Sequence, residues 1–141
     1  MFKDTYNFFG QDLICIRRKV NKTFVVESDV DHFIKKIFKG WKYIKVDTVN
    51  QIGFPDNLLM KDSRYILIES KMLKKKELNV LEDDLKWQPG QLPFMKQALM
   101  LGLSYKLVVA KGNTLAYIMD KKQWGSDIEH ISKEGLCTEI C

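Results

Sequence analysis

GFPDNLLMKDSRYILIESK, residues 53–71, is the stretch from which the rest of the chain can be read. Asp56 to Met60 predict an extended segment, Lys61 to Arg64 a polar turn, and Tyr65 to Ile68 a buried strand that becomes charged at Glu69-Ser70-Lys71. A strand that changes in this way is leaving a core and entering a site. With the turn pairing the two strands, Asp56 and Glu69 stand beside each other at the same end. Side chains alternate along a strand, so Glu69 and Lys71 share one face while Ser70 turns to the other with its carbonyl still available. Two carboxylates and a carbonyl make a hard, oxygen-rich set that leaves positions open for water and phosphate, which suits Mg²⁺.

Outward from this stretch the pattern continues as alternating helices and strands. Val30, Phe33, Ile34, Ile37 and Phe38 recur at i, i+3, i+4, i+7 and i+8, predicting a helix capped by Ser28 and ending at Gly40. WKYIKVDTV, residues 41–49, alternates as a strand, and residues 50–53 read as a loop. Residues 72–87 carry many charges with little period and read as a mobile loop or a short helix. Pro89 and Gly90 open a turn before QLPFMKQALMLGL, a largely apolar helix ending near Gly102. YKLVVA and LAYIM flank KGNT, which predicts a hairpin over residues 105–119. Asp120 would cap a last helix with Trp124, Ile128 and Ile131 on one face. In front of everything, Leu13 to Ile16 and Phe24 to Val26 predict a hairpin turning at Asn21 and Lys22. The expected architecture is α/β, a mixed sheet with helices packed against it, with an N-terminal hairpin and a C-terminal helix.

Composition agrees with one folded domain over residues 1–141. A chain of 141 residues with 45% hydrophobic and 29% charged residues can bury a core without room for two. The start of the chain lacks the pattern of a secretory signal and no apolar run reaches membrane-spanning length, so an intracellular protein without membrane attachment is expected. Cys15, Cys137 and Cys141 are an odd number in such a setting and are expected as thiols. Cys137 and Cys141 with His130 lack a nearby fourth ligand for a zinc site. The net charge of +5 is uneven: residues 1–76 hold 16 basic and 9 acidic residues, residues 77–141 hold 7 and 9. That imbalance of +7 against −2 is what a polyanion partner selects, because each neutralised phosphate releases counterions.

Pro55-Asp56 with Glu69-Ser70-Lys71 resembles the PD-(D/E)XK nucleases. The glycine in GFPD, the segment WQPGQLPFMKQALMLGLSYKLVVA and Glu27 at the head of the first helix bring it closest to the VRR-NUC branch, the viral-type replication-repair nucleases, and more distantly to Holliday-junction resolvases. The resemblance covers about residues 27–119. It implies a restriction-endonuclease-like αβββαβ core and a metal-dependent endonuclease on DNA, with branched or flap structures as candidate substrates. It also implies Mg²⁺, with Mn²⁺ as substitute, bound by Asp56, Glu69, the Ser70 carbonyl and Glu27. Lys71 would orient or deprotonate the attacking water, and Gln91 would reach that water or the scissile phosphate. Relatives of this kind work as homodimers. Two other functions fit the same fold: a catalytically silent DNA-binding or inhibitory protein, and an RNA-directed nuclease.

Several of these residues have plainer readings. Glu27 also suits the helix dipole, and Gln91 also suits an ordinary first helical turn. Lys74, Lys75 and Lys76, like Arg17, Arg18 and Lys19, are placed to meet a phosphate backbone, although lysine runs are commonly solvated faces. His32 and His130 fall outside the constellation. Trp41, Trp87 and Trp124 read as core or interface anchors rather than stacking platforms, with Trp87 the closest to the site.

Overall fold

The computed structural model describes residues 2–8, 11–46, 53–74 and 85–120, with side chains described from Lys19 to Leu115 within those ranges. The elements in chain order are β1 (Phe2–Phe8), β2 (Gln11–Phe24), α1 (Glu27–Ile37), β3 (Lys42–Lys45), β4 (Asn57–Lys61), β5 (Arg64–Met72), α2 (Gln91–Met100) and β6 (Tyr105–Asp120). They form one mixed sheet in the order β1-β2-β6-β5-β4-β3. Among the described residues only β5 and β6 run parallel, as expected for strands joined by a crossover that includes a helix.

The two faces of the sheet follow from strand alternation. Leu59, Ile66, Ile68, Val108 and Ala110 pack with Val30, Phe33, Ile34 and Ile37 of α1. Leu67, Leu107 and Val109, one residue out of phase, pack with Met95, Ala98 and Leu99 of α2. Each helix therefore covers one face, and burying each such side chain stabilises the fold by about 1.5–3 kcal/mol. A residue of β5 thus belongs to the α1 side or the α2 side according to its parity.

The N-cap of helix α1 lies two residues before the expected one. Val26 is the N-cap residue and Ser28 already lies in the first turn. Val26 offers no cap oxygen, and the first-turn Asp29 instead reaches back as in the second half of a capping box, its Oδ2 accepting the Val25 and Val26 N–H groups at 2.8 and 3.0 Å. The helix ends at Ile37, with Gly40 at φ 93° in the turn that follows. Strand β3 is shorter than the predicted 41–49, and residues 47–52 lie outside the described residues.

Two hairpin expectations are corrected. The N-terminal hairpin pairs β1 with β2, Phe8 facing Gln11, and Asn21 and Lys22 lie within β2 rather than at a turn. Residues 105–119 form no hairpin: β6 continues as a single strand of 16 residues. Its first part pairs with β5 and its second with β2, so its backbone groups are satisfied by other strands and no fold-back is needed. Gly112, at φ 58°, sits at the change of partner, opposite the register irregularity between Lys19 and Phe24. Asp120 ends β6, and the predicted helix with Trp124, Ile128 and Ile131 lies outside the described residues, as do Cys137, Cys141 and most of the segment 72–87. No helix among the described residues is long and apolar enough to cross a membrane.

Candidate metal and catalytic site

The β4–β5 hairpin turns at Asp62-Ser63, with Asp62 in the left-handed region at φ 55°. Its register pairs Asn57 with Ile68, which sets Asp56 across from Glu69. The Asp56 N–H donates to Glu69 Oε2 at 3.2 Å, and the Asp56 carbonyl accepts the Val46 N–H at 2.8 Å. The first residue of α1, Glu27, completes the group: one carboxylate oxygen from each of Glu27, Asp56 and Glu69 lies within 4.8 Å of the others. The start of α1, the residue before β4 and the later part of β5 therefore converge on one small acidic volume.

Close carboxylates repel, and burial removes the water that would screen them. Glu69 has no exposed surface, and its Oε1 has no hydrogen-bond partner. Burial first, and the Asp56 charge second, push its pKa up to about 8, against the pull of Lys71. Burial raises Asp56, with Asp31 adding and Lys45 opposing, and burial is the chief cause of the rise at Glu27 too. Such a set fits a cation: hard oxygen donors, one of them buried without a hydrogen bond, gain most when a positive charge replaces the missing solvent. Three carboxylates alone do not choose among divalent ions.

Lys71 shares the face of Glu69, as alternation requires, and its Nζ lies 3.4 Å from Glu69 Oε1. It donates to Gln91 Oε1 at 2.6 Å, and the same oxygen accepts the Gln88 N–H at 2.9 Å. The Trp87 ring centroid is 5.3 Å from the ammonium. Gln91, in the first turn of α2, thus reaches the site by holding Lys71. The segment carrying it is fixed against the start of the motif, because a Cβ at Gly53 would meet Gly90 O at 2.2 Å. Both glycines have positive φ, 85° and 82°, so this close backbone crossing needs glycine on conformational grounds as well.

Ser70 faces the other way, where Asn57 Nδ2 lies 3.1 Å from its Oγ. Around it is a polar cluster that pattern reading missed. Asn57 Nδ2 also donates to Asp31 Oδ1 at 2.8 Å, Lys45 Nζ to Asp31 Oδ2 at 2.6 Å, and the Tyr43 hydroxyl to Asn57 Oδ1. The only signal in the sequence was Asp31 interrupting the apolar stripe of its helix. Tyr105, fully buried, is a second residue missed; burial foremost, and then the Glu69 and Asp56 charges, raise its phenol well above the ordinary value.

Of the residues expected to meet nucleic acid, Lys19 and Lys74 are exposed. Arg17 and Arg18 lie in β2 with side chains outside the described residues, as Lys75 and Lys76 lie wholly outside them. No protein-family model matches the chain, and no curated protein and no solved structure matches it either.

Proposed function

We propose that the chain is a metal-dependent nuclease of PD-(D/E)XK type that hydrolyses phosphodiester bonds in DNA, with Mg²⁺ as its cofactor and Mn²⁺ as a substitute. The observation that carries this reading is the convergence of Glu27, Asp56 and Glu69 around a buried carboxylate oxygen that accepts no hydrogen bond, with the Lys71 ammonium 3.4 Å away. The order α1-β3-β4-β5-α2-β6, helix, three strands, helix, strand, supports the family's core arrangement.

Asp56, Glu69 and Glu27 hold the ion in this reading, with the Ser70 carbonyl as a further donor. An ion held there would supply Lewis acidity, toward a water and toward the phosphoryl oxygens. Lys71 would orient or deprotonate the attacking water or stabilise charge on the phosphate, and Gln91, which accepts its hydrogen bond, fixes where the ammonium points. The basic excess of residues 1–76 draws the polyanion to the site. A homodimer, two such sites for two strands, is part of the proposal.

The test is to incubate the protein with linear duplex, flap, four-way junction and single-stranded DNA, and with RNA, in Mg²⁺, in Mn²⁺ and in chelator. Scission that requires the ion is expected. Binding without scission in every metal arm would overturn the enzymatic reading, and scission of RNA alone would reassign the substrate.

A further inference from the structure

The outward face of α1 is a second charged feature, distinct from the carboxylates. His32, Lys35 and Lys36 stand at i, i+3 and i+4, opposite the buried Val30, Phe33, Ile34 and Ile37, Lys39 follows in the turn after the helix, and all four are exposed. Cations in a last helical turn complement the helix dipole, which accounts for Lys35 and Lys36. It does not account for the cations that strands add to the same side of the sheet. Lys45 projects there from β3, since it reaches Asp31, and Arg64 does so too, since its guanidinium lies 5.0 Å from the centroid of Trp41 in the α1-side core. Lys61 is the cross-strand partner of Arg64.

Position and pairing decide what this face is for. Lys45 pairs in register with Asn57, the residue after Asp56, so it marks the end of the sheet where the carboxylates converge. Lys61 and Arg64 flank the turn at the opposite end. Lys35 Nζ lies 5.6 Å from the Tyr43 ring, between these two ends. The helical part of the stripe, His32 to Lys36, is about 6 Å long at about 1.5 Å per residue, the reach of about two phosphates along one strand, and Lys39 follows it in the turn. Among the described residues Lys36, Lys39 and Lys61 have no carboxylate partner. The acids of this side are largely occupied: Asp29 accepts backbone N–H groups and Asp31 holds Lys45 and Asn57, leaving Asp62 exposed in the turn.

We propose that the α1 flank, Lys35, Lys36, Lys39, Lys45, Lys61 and Arg64, is a docking surface for the phosphate backbone of a nucleic-acid duplex, leading away from the rim of the carboxylate site. It deepens the nuclease reading and rests on that reading for the identity of the polyanion. Contact is with phosphates rather than bases, so DNA and RNA duplexes bind through the same cations.

The experiment is fluorescence anisotropy with a short labelled duplex in chelator, between about 50 and 200 mM salt. The triple variant Lys35→Gln/Lys36→Gln/Lys39→Gln is expected to lose at least about tenfold in affinity, and its slope of log K against log salt should fall by about 2 to 3. Lys61→Gln/Arg64→Gln, a second and independent change, should lower the slope by about 2. The control Lys96→Gln/Lys111→Gln removes exposed or half-exposed charges away from α1 and should stay within about twofold of the wild type. Triple and double variants that bind like the control, or a wild type without salt-dependent binding, overturn the surface. Ion-dependent scission with affinity unchanged in the variants sinks this surface and spares the nuclease reading. Affinity lost in the variants, with no scission in any metal, does the reverse.

Discussion

Asn57 Nδ2 lies 2.8 Å from Asp31 Oδ1, joining the strand that begins just after Asp56 to the helix that begins at Glu27. Two of the three converging carboxylates are therefore tied together from behind, through residues on the opposite face of the sheet. Replacing Asn57 by Leu removes that tie and leaves Asp31 and Ser70 buried with fewer partners. A loss of about 2–4 kcal/mol in stability is expected, with weaker Mn²⁺ binding. Denaturant unfolding and metal titration check both, and unchanged values would show that the cluster is not a brace.

Asp56→Ala should abolish metal binding and cleavage while the fold survives, because Asp56 is a half-buried residue outside the packed core. Calorimetric titration with Mn²⁺ measures the first effect and circular dichroism the second. A variant that cleaves at the wild-type rate would refute the site.

Gln91→Leu takes away the acceptor that holds Lys71 at 2.6 Å. The turnover number should fall about 10- to 100-fold with KM little changed, since the ammonium remains but is no longer aimed. Gln91→Glu keeps an acceptor and should recover part of the loss. Equal defects in both variants would point to packing instead.

The Glu69 carboxyl, at about 8, binds its proton more tightly in the fold than in the unfolded chain at its ordinary 4.5. Its contribution to the metal-free protein is thus complete below pH 4.5 and is lost as pH rises through 8. Asp56 and Glu27, also raised, act with the same sign. Glu69→Gln, which cannot ionise, should be more stable than the wild type at pH above 8 by on the order of 2 kcal/mol, or roughly 6 °C in Tm, with the gap closing near pH 5. Thermal melts across that range in chelator decide it. Mn²⁺, which competes with the proton, should narrow the gap in the wild type.

Gly53→Ala should be among the most damaging single changes, costing about 3 kcal/mol or more. Its Cβ would press on the Gly90 carbonyl at 2.2 Å and force an unfavourable φ at once. A melt within a few degrees of the wild type would mean that the crossing of the two segments is easily relaxed.

Much of the site was legible because it is local. The stripe from Val30 to Ile37 and the polar turn after Met60 are short-range patterns, and alternation alone separates Glu69 and Lys71 from Ser70. The register of one hairpin then brings Asp56 to Glu69. KGNT misled for the opposite reason: glycine and asparagine mark a turn only when the flanking strands pair with each other, and here β5 and β2 take those pairings. Likewise Ser28 is no cap because the helix starts earlier than its first apolar residue suggests, and Asp29 secures that start by accepting the Val25 and Val26 N–H groups.

What the amino-acid order determined by itself is the α/β alternation, the two faces of each strand and the pairing of two acids across a short turn, since each depends on dihedral periodicity over a few residues. Only the tertiary structure decided that Glu27 closes on those acids, that Gln91 holds Lys71, that Asp31, Asn57 and Lys45 brace the site from behind, and that the α1 cations share a flank with Arg64. These contacts join segments distant in the chain, and their geometry is set by how the helices settle on the sheet, which no local period encodes.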